Sequence, residues 1–178
     1  MTLAASTPAR AATLVFGWGN PSRGDDALGP LFAARCEALA ARHPEWGGIE
    51  CQTDFQLQVE HALDLQGRER VLFVDASRDC AAPFDLTTPT PSRDVSFTSH
   101  AMTPQAVLQV YLDLRLDDAA LPPCRMLAIR GEDFELGQDL SPAAQANLDA
   151  ALAWATGWLA ADKRDEPGCA LSKASEPA

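Results

Sequence analysis

Two carboxylates and a histidine stand at positions where they could assemble a metal site: Asp25 or Asp26, Asp75 and His100. Asp25 and Asp26 come soon after the apolar run at residues 13–16, and Asp75 ends the apolar run at residues 71–74. Two carboxylates and one imidazole are a suitable ligand set for a divalent cation, and the imidazole favours nickel or zinc. These residues are far apart in the sequence, so only the folded chain can bring them together.

The elements that must position these side chains follow from the spacing of apolar residues. Short apolar runs predict strands at residues 13–16, 48–53, 70–76 and 125–130. Helical spacing predicts helices from residue 25 or 26 to about residue 42, and at residues 57–66, 104–116 and 141–161. Strands that alternate with helices indicate a parallel sheet that is covered on both faces.

We therefore predict an α/β protein with one three-layer α/β/α domain at residues 12–161. Its sheet is expected to be twisted and mainly parallel, with about five strands. Residues 84–87 and 94–97 are predicted to form a short antiparallel hairpin at the sheet edge. Residues 162–178 are rich in charged residues, Pro, Gly and Ser, and are predicted to be a disordered tail.

Ligands of open parallel sheets bind beyond the carboxyl ends of the strands. Asp54 and Gln56 follow the second predicted strand, and Glu132 and Asp133 follow the last core strand. These polar side chains are therefore expected at the same edge of the sheet as Asp26.

Each candidate metal ligand also has a structural alternative. Asp25 or Asp26 could cap the first helix, and Asp75 could form an Asx-turn. His100 could hydrogen-bond to the backbone instead of a metal. The spacing of these residues alone therefore indicates an α/β enzyme and leaves its reaction open.

Familiar catalytic motifs are not found. Gly17-Trp18-Gly19 begins like a dinucleotide fingerprint, but Ser22 stands where the third glycine is needed. The sequence contains neither the Gly-x-Ser-x-Gly nucleophile elbow nor the His-Glu-x-x-His zinc helix. No catalytic group is assigned from the sequence.

The composition excludes several classes of protein. The 178 residues carry a formal net charge of −11, whereas nucleic-acid binding needs clusters of Lys and Arg. No apolar run reaches the roughly 18 residues of a membrane helix. The five cysteines form no Cys-x-x-Cys pair, so neither a disulfide framework nor a zinc–thiolate site is indicated. Residues 1–12 lack the apolar segment of a signal peptide, which predicts a cytoplasmic location.

Four segments of the chain resemble the sequence pattern of the hydrogenase maturation endopeptidases. Residues 16–29, with the sequence Phe-Gly-Trp-Gly-Asn-Pro-Ser-Arg-Gly-Asp-Asp-Ala-Leu-Gly, are similar to the family's opening motif. Residues 71–76 resemble its third strand with the closing Asp-Ala pair. Residues 99–104 resemble its histidine segment, and residues 129–142 resemble its closing segment. The order and spacing of the segments agree with the family, and the resemblance covers about residues 13–159.

This resemblance implies an endopeptidase without a serine or cysteine nucleophile. Its substrate would be the nickel-loaded precursor of a nickel–iron hydrogenase large subunit, from which it removes the C-terminal extension. Asp26, Asp75 and His100 would contact the nickel, which the substrate carries, so no permanently bound cofactor is expected. The expected partner is this precursor, and the enzyme is expected to be a monomer.

The stretch after the second strand departs from the commoner family pattern. Many members carry Asp-Gly-Gly-Thr there, whereas this chain has Asp54, Phe55, Gln56 and Leu57. This variant resembles the branch that serves soluble, NAD-reducing (bidirectional) hydrogenases. By this resemblance, Asp54, Gln56 and Leu57 are predicted to recognise the substrate.

Two other functions remain open at the level of the sequence. One is a non-catalytic, nickel-sensing chaperone that binds the immature subunit without cutting it. The other is an α/β hydrolase that acts on small molecules. Such a hydrolase would need a pocket with anion-binding groups, and only Arg23, Arg78 and Arg130 are expected near the site.

Overall fold

A five-stranded sheet forms the centre of the computed structural model, which describes residues 10–93, 102–114 and 120–161. Its strands are β1 (Thr13–Trp18), β2 (Ile49–Asp54), β3 (Arg70–Ser77), β4 (Phe84–Thr87) and β5 (Cys124–Arg130). They lie in the order β2-β1-β3-β5-β4, and all neighbours are parallel except β4 and β5. The predicted α/β fold with a mainly parallel sheet and an antiparallel edge is confirmed.

The antiparallel strand at the edge of the described sheet is β4. β4 pairs with β5, so that Phe84 lies opposite Ile129 and Thr87 lies opposite Met126. Residues 94–97, the predicted partner, lie outside the described residues. The pairing of residues 84–87 with residues 94–97 therefore stays a prediction, and the pairing of β4 with β5 comes in addition to it.

Helices cover both faces of the sheet. They are α1 (Leu28–Ala40), α2 (Pro104–Leu114) and α3 (Pro142–Ala160), with short 3₁₀ helices at Gly24–Ala27, Pro44–Trp46 and Val59–Leu65. α1 and α3 pack on one face, and α2 and the 3₁₀ helix Val59–Leu65 pack on the other. None of the helices in the described residues has the length and hydrophobicity that a bilayer crossing requires. The predicted tail at residues 162–178 lies outside the described residues.

β1 and β3 are buried on both faces, which explains their continuous apolar sequences. β1 also packs unusually close to α1. A Cβ on Gly17 would collide with the carbonyl oxygen of Gly29, so the strand and the helix can approach only because both positions lack a side chain. This contact places the start of α1 directly above the carboxyl end of β1.

A buried arginine joins β3 to the end of α3. The Arg70 side chain is fully buried, and its guanidinium donates to the carbonyl oxygens of Trp158 at 2.7 Å and Leu159 at 3.0 Å. It also donates to Thr13 Oγ1 at 3.0 Å and stacks over the Trp158 ring at 4.3 Å. The last carbonyl groups of a helix have no partner within the helix, and Arg70 supplies donors and a positive charge for them.

Candidate functional site

The carboxyl ends of β1 and β3 border the crevice where ligands bind in open α/β sheets. β2 lies on one side of β1 and β3 on the other, so the connections diverge between these central strands. Asp26 lies in the 3₁₀ helix that follows β1, and Asp75 lies near the carboxyl end of β3. They are close enough for the charge of Asp26 to act on Asp75. We call these two residues the carboxylate pair.

Asp75 is half-buried near the carboxyl end of β3. Its Oδ1 accepts a hydrogen bond from the Ala76 amide at 2.8 Å, and the Trp18 side chain also donates to it. Burial is the main cause that raises the pKa of Asp75 to about 7, and the charge of Asp26 adds to the rise. A cation in this crevice would favour the charged form of the group.

The chain before Asp26 wraps around its carboxylate. The Asn20 amide donates to Asp26 Oδ2 at 2.9 Å. Gly19 has a φ of 141°, and a Cβ there would collide with the Asp26 carbonyl oxygen, so this tight turn requires glycine. Arg23 and Ala27 occupy the N-cap positions of the two helices that follow β1, so neither Asp25 nor Asp26 caps a helix.

Asp25 holds the loop after β5 against the loop after β1. Its fully buried carboxylate accepts hydrogen bonds from the amides of Glu132 at 2.7 Å, Asp133 at 2.9 Å and Ser141 at 2.7 Å. The Ser141 hydroxyl, which caps α3, also donates to it at 2.9 Å. Burial acts to raise the pKa of Asp25, but these four hydrogen bonds outweigh burial and hold the pKa below its ordinary value. We call this arrangement the Asp25 clamp.

The third predicted ligand, His100, lies outside the described residues. Within the ranges that are described, no group of three His, Cys, Asp or Glu side chains could hold a metal ion. The described residues alone therefore do not provide a complete set of metal ligands around the carboxylate pair. His100 as that ligand stays a prediction.

The predicted recognition residues lie at the end of β2 and differ in exposure. Asp54 and Gln56 are half-buried, whereas Leu57 is fully buried in the core below α2. The Leu57 carbonyl oxygen accepts a hydrogen bond from the Met102 amide at 3.0 Å, so this residue supports the loop from within. Phe55 is 68% exposed and is the most accessible side chain of the stretch.

A cleft of about 320 Å³ lies between this loop and the loop after β1. It is lined by Gly19, Pro21, Pro30, Thr53, Asp54 and Phe55. Gly19 also touches Asp26, so the cleft opens beside the carboxylate pair. We call it the recognition cleft.

His61 is a residue of this region that the sequence analysis did not select. It is buried and packs against Phe16, with ring centroids 4.6 Å apart and the ring planes tilted by 56°. Its Nε2 lies 3.4 Å from Asp54 Oδ2. Its spacing of three residues after Gln58 is the capping-box spacing, and both reciprocal hydrogen bonds are present. The capping-box spacing could have pointed to His61 in the sequence. It gives no indication that Asp54 is a second partner of the imidazole.

The basic side chains near the site are engaged with the loops that follow β3 and β5. Arg23 Nε donates to the Phe134 carbonyl oxygen at 3.3 Å, and the Arg78 guanidinium stacks over the Phe134 ring at 4.4 Å. Arg130 donates to the carbonyl oxygens of Arg78 and Cys80. The arginines thus hold these two loops in place and are not among the residues that line the recognition cleft.

The acidic side chains predicted after β5 do not join the pair through their carboxylates. Glu132 is exposed, and Asp133 Oδ1 accepts from the Glu135 amide at 3.0 Å. Instead, the backbone amides of Glu132 and Asp133 donate hydrogen bonds to the Asp25 carboxylate in the Asp25 clamp.

Solved structures with the same fold include proteases of hydrogenase maturation. The NiFe hydrogenase maturation protease HycI from Thermococcus kodakarensis matches with a TM-score of 0.64 at 18% identity, over 86% of this chain and 94% of its own. The solution structure of an endopeptidase from Escherichia coli matches with a TM-score of 0.61 at 18% identity, over 83% and 91%.

The hydrogenase maturating endopeptidase HybD from Escherichia coli gives a TM-score of 0.59 at 20% identity, over 83% of this chain and 91% of its own. No protein-family model and no curated protein matches the sequence. At these low identities, the comparisons establish that the fold is shared.

Proposed function

We propose that this chain is an endopeptidase that removes the C-terminal extension from the nickel-loaded precursor of a nickel–iron hydrogenase large subunit. The observation that supports this function best is the carboxylate pair in the crevice between β1 and β3. The fold shared with hydrogenase maturation proteases supports it as well, as do the four sequence segments that resemble this family.

In this proposal the nickel belongs to the substrate, and the enzyme holds no cofactor of its own. Asp26 and Asp75 bind the nickel together with His100. The two carboxyl groups repel each other when both are charged, and a divalent cation removes that repulsion. A precursor that carries nickel therefore binds more tightly than one that does not. The bound metal marks the correct substrate and positions the bond to be cut.

The proposal extends to the choice of substrate. The loop with Asp54, Gln56 and Leu57 recognises the precursor, which belongs to a soluble, NAD-reducing hydrogenase. We propose that the enzyme acts on it as a cytoplasmic monomer. Because Leu57 is a core residue, a graft of the commoner motif should replace only Phe55 and Gln56 by glycine. This graft is expected to impair processing of the native precursor while the circular dichroism spectrum stays native, and unchanged processing would contradict the assignment.

The decisive experiment incubates the purified protein with nickel-loaded and nickel-free precursor and follows the precursor by mass spectrometry. We expect a loss of mass at the C-terminus only with nickel. Asp26→Asn and Asp75→Asn should abolish the cut. Asp85→Asn is the matched control, because Asp85 also accepts a hydrogen bond from its following amide but is exposed on β4.

The same experiment separates the competing functions. Nickel-dependent binding without loss of mass would show the chaperone and contradict the protease. The small-molecule hydrolase is disfavoured because the arginines near the site already have partners. Arg23 and Arg78 contact Phe134 in the loop after β5, and Arg130 donates to the carbonyl oxygen of Cys80 in the loop after β3.

A further inference from the structure

The imidazole of His61 has two different partners on its two nitrogen atoms. Nδ1 accepts a hydrogen bond from the Gln58 amide at 2.9 Å, which closes the capping box of the 3₁₀ helix Val59–Leu65. A ring nitrogen that accepts from an amide carries no proton, so the proton of the neutral imidazole lies on Nε2. Nε2 is the atom that lies 3.4 Å from Asp54 Oδ2.

This geometry fixes the carboxylate of Asp54 at both oxygens. Oδ1 accepts from the Phe55 amide at 2.6 Å, and Oδ2 faces the protonated nitrogen of His61. The Asp54 side chain remains 33% exposed, and it lines the recognition cleft. A carboxylate has about four acceptor sites, so it can still accept hydrogen bonds from a ligand.

The lining of the recognition cleft indicates what it binds. Asp54, whose side chain is partly exposed, forms part of its wall, and so does the largely exposed Phe55. Carboxylates and aromatic faces both attract cations, and no basic side chain lines the cleft within the described residues. The cleft therefore fits a basic side chain of a polypeptide whose reacting bond lies at the carboxylate pair.

We propose that His61 is a positioning residue that orients the Asp54 carboxylate, so that the recognition cleft binds a basic side chain of the substrate. The inference rests on the proposed endopeptidase function and deepens it. Capping of the 3₁₀ helix explains the hydrogen bond at Nδ1, but it does not explain why Nε2 faces the cleft residue.

Two substitutions separate the capping role from the positioning role. In His61→Asn, the amide oxygen can take the place of Nδ1 and accept from Gln58, but nothing reaches Asp54. In His61→Gln, the amide nitrogen can take the place of Nε2 and donate to Asp54, but the cap is lost. His43→Asn is the matched control, because His43 bonds Glu45 before β2 starts, at the opposite edge of the sheet.

The test measures kcat and KM for cleavage of the nickel-loaded precursor, together with the thermal midpoint of each variant. His61→Asn should raise KM about tenfold, the effect of one weakened charge-assisted hydrogen bond, with kcat nearly unchanged. His61→Gln should keep KM near that of the wild type although its thermal midpoint falls. His43→Asn should leave both kinetic constants unchanged.

A double-mutant cycle tests whether His61 acts through Asp54. Asp54→Asn should raise KM at least as much as His61→Asn, and adding the second substitution should have little further effect. Added salt should raise the KM of the wild type more than that of Asp54→Asn, because it screens the attraction of a basic side chain.

The outcomes distinguish the two proposals. If the wild type does not cut the precursor, the proposed function is wrong and the inference falls with it. If the wild type cuts but His61→Asn keeps a normal KM, only the inference is overturned. It is also overturned if KM rises in both His61 variants in proportion to their loss of stability. If His61→Asn does not fold, the test uses Asp54→Asn instead, and a normal KM in that variant overturns the inference.

Discussion

The Asp25 clamp and the carboxylate pair lie at the same end of the sheet, yet their buried carboxyl groups meet opposite surroundings. Asp25 accepts four hydrogen bonds, and its pKa lies below the ordinary value. Among the described residues, the donors to Asp75 are Ala76 and Trp18, its neighbour Asp26 is an acid, and its pKa rises to about 7. Burial acts on both groups in the same direction, so the number of donors and the neighbouring charge decide the outcome.

The comparison shows that two carboxyl groups at the same end of a sheet can have opposite effects on the stability of the fold. The clamp satisfies its carboxylate internally, so that charge stabilises the fold. In the carboxylate pair, burial and the charge of Asp26 raise the pKa of Asp75, so the charged form of Asp75 destabilises the fold. Sites that act on ligands often cost stability in this way.

The largest effect is expected from Asp75→Asn, which removes the charge and keeps the shape. The rise in pKa from 3.8 to about 7 limits the gain in unfolding free energy at neutral pH to about 4 kcal/mol. Urea unfolding at pH 8 measures this gain, and cleavage of the precursor should be lost in the same variant. A variant that is less stable than the wild type would show that Asp75 belongs with the clamp.

The Asp25 clamp and the carboxylate pair should change the free energy of unfolding in opposite directions as pH rises. Because the folded pKa of Asp75 is raised, its contribution is fully present below pH 3.8 and is lost as pH rises through about 7. Because the folded pKa of Asp25 is lowered, its contribution is present above pH 3.8 and is lost as pH falls further. The free energy of unfolding, measured between pH 3 and pH 8, should therefore decline towards pH 7 in the wild type. This decline should be absent in Asp75→Asn.

Asp25→Asn is expected to destabilise the protein by about 3 kcal/mol, because buried donors then face an amide group. Urea unfolding measures this loss, and Asp85→Asn serves as the exposed control, with a change within about 0.5 kcal/mol. An unchanged free energy of unfolding would mean that water can replace the hydrogen bonds of the Asp25 clamp.

The smallest effect is expected from Asp26→Asn. It removes the repulsion within the pair, so the pKa of Asp75 should fall, while the unfolding free energy should rise by no more than about 1 kcal/mol. NMR titration of the Asp75 carboxyl carbon measures the pKa directly. An unchanged pKa would show that burial alone causes the rise at Asp75.

The sequence was sufficient to predict most of the frame of this site. The run at residues 71–74 is apolar because β3 is buried on both faces, so both the strand and the position of Asp75 at its end could be predicted. The type of the helix that contains His61 could not be predicted. Leu57, His61 and Leu65 have α-helical spacing, but the segment Val59–Leu65 is a 3₁₀ helix, and tertiary packing decides between the two.

The roles of the two consecutive aspartates were also beyond the sequence. Asp25 and Asp26 have the same side chain, and the partners of Asp25 lie more than 100 residues away in the chain. Only the packing of the loop after β5 against the loop after β1 assigns one to the clamp and the other to the pair. Nothing in the local pattern distinguishes them.

The buried guanidinium of Arg70 also bears on how the protein can be handled in the laboratory. It fixes the end of α3 at the start of β3, and a helix of 19 residues spans roughly 28 Å. The other end of that helix begins beside the Asp25 clamp, so Ala161 lies at the edge of the sheet away from the crevice. A linker attached to a sensor surface near Ala161 would therefore leave the crevice facing the solution and open to a large protein substrate.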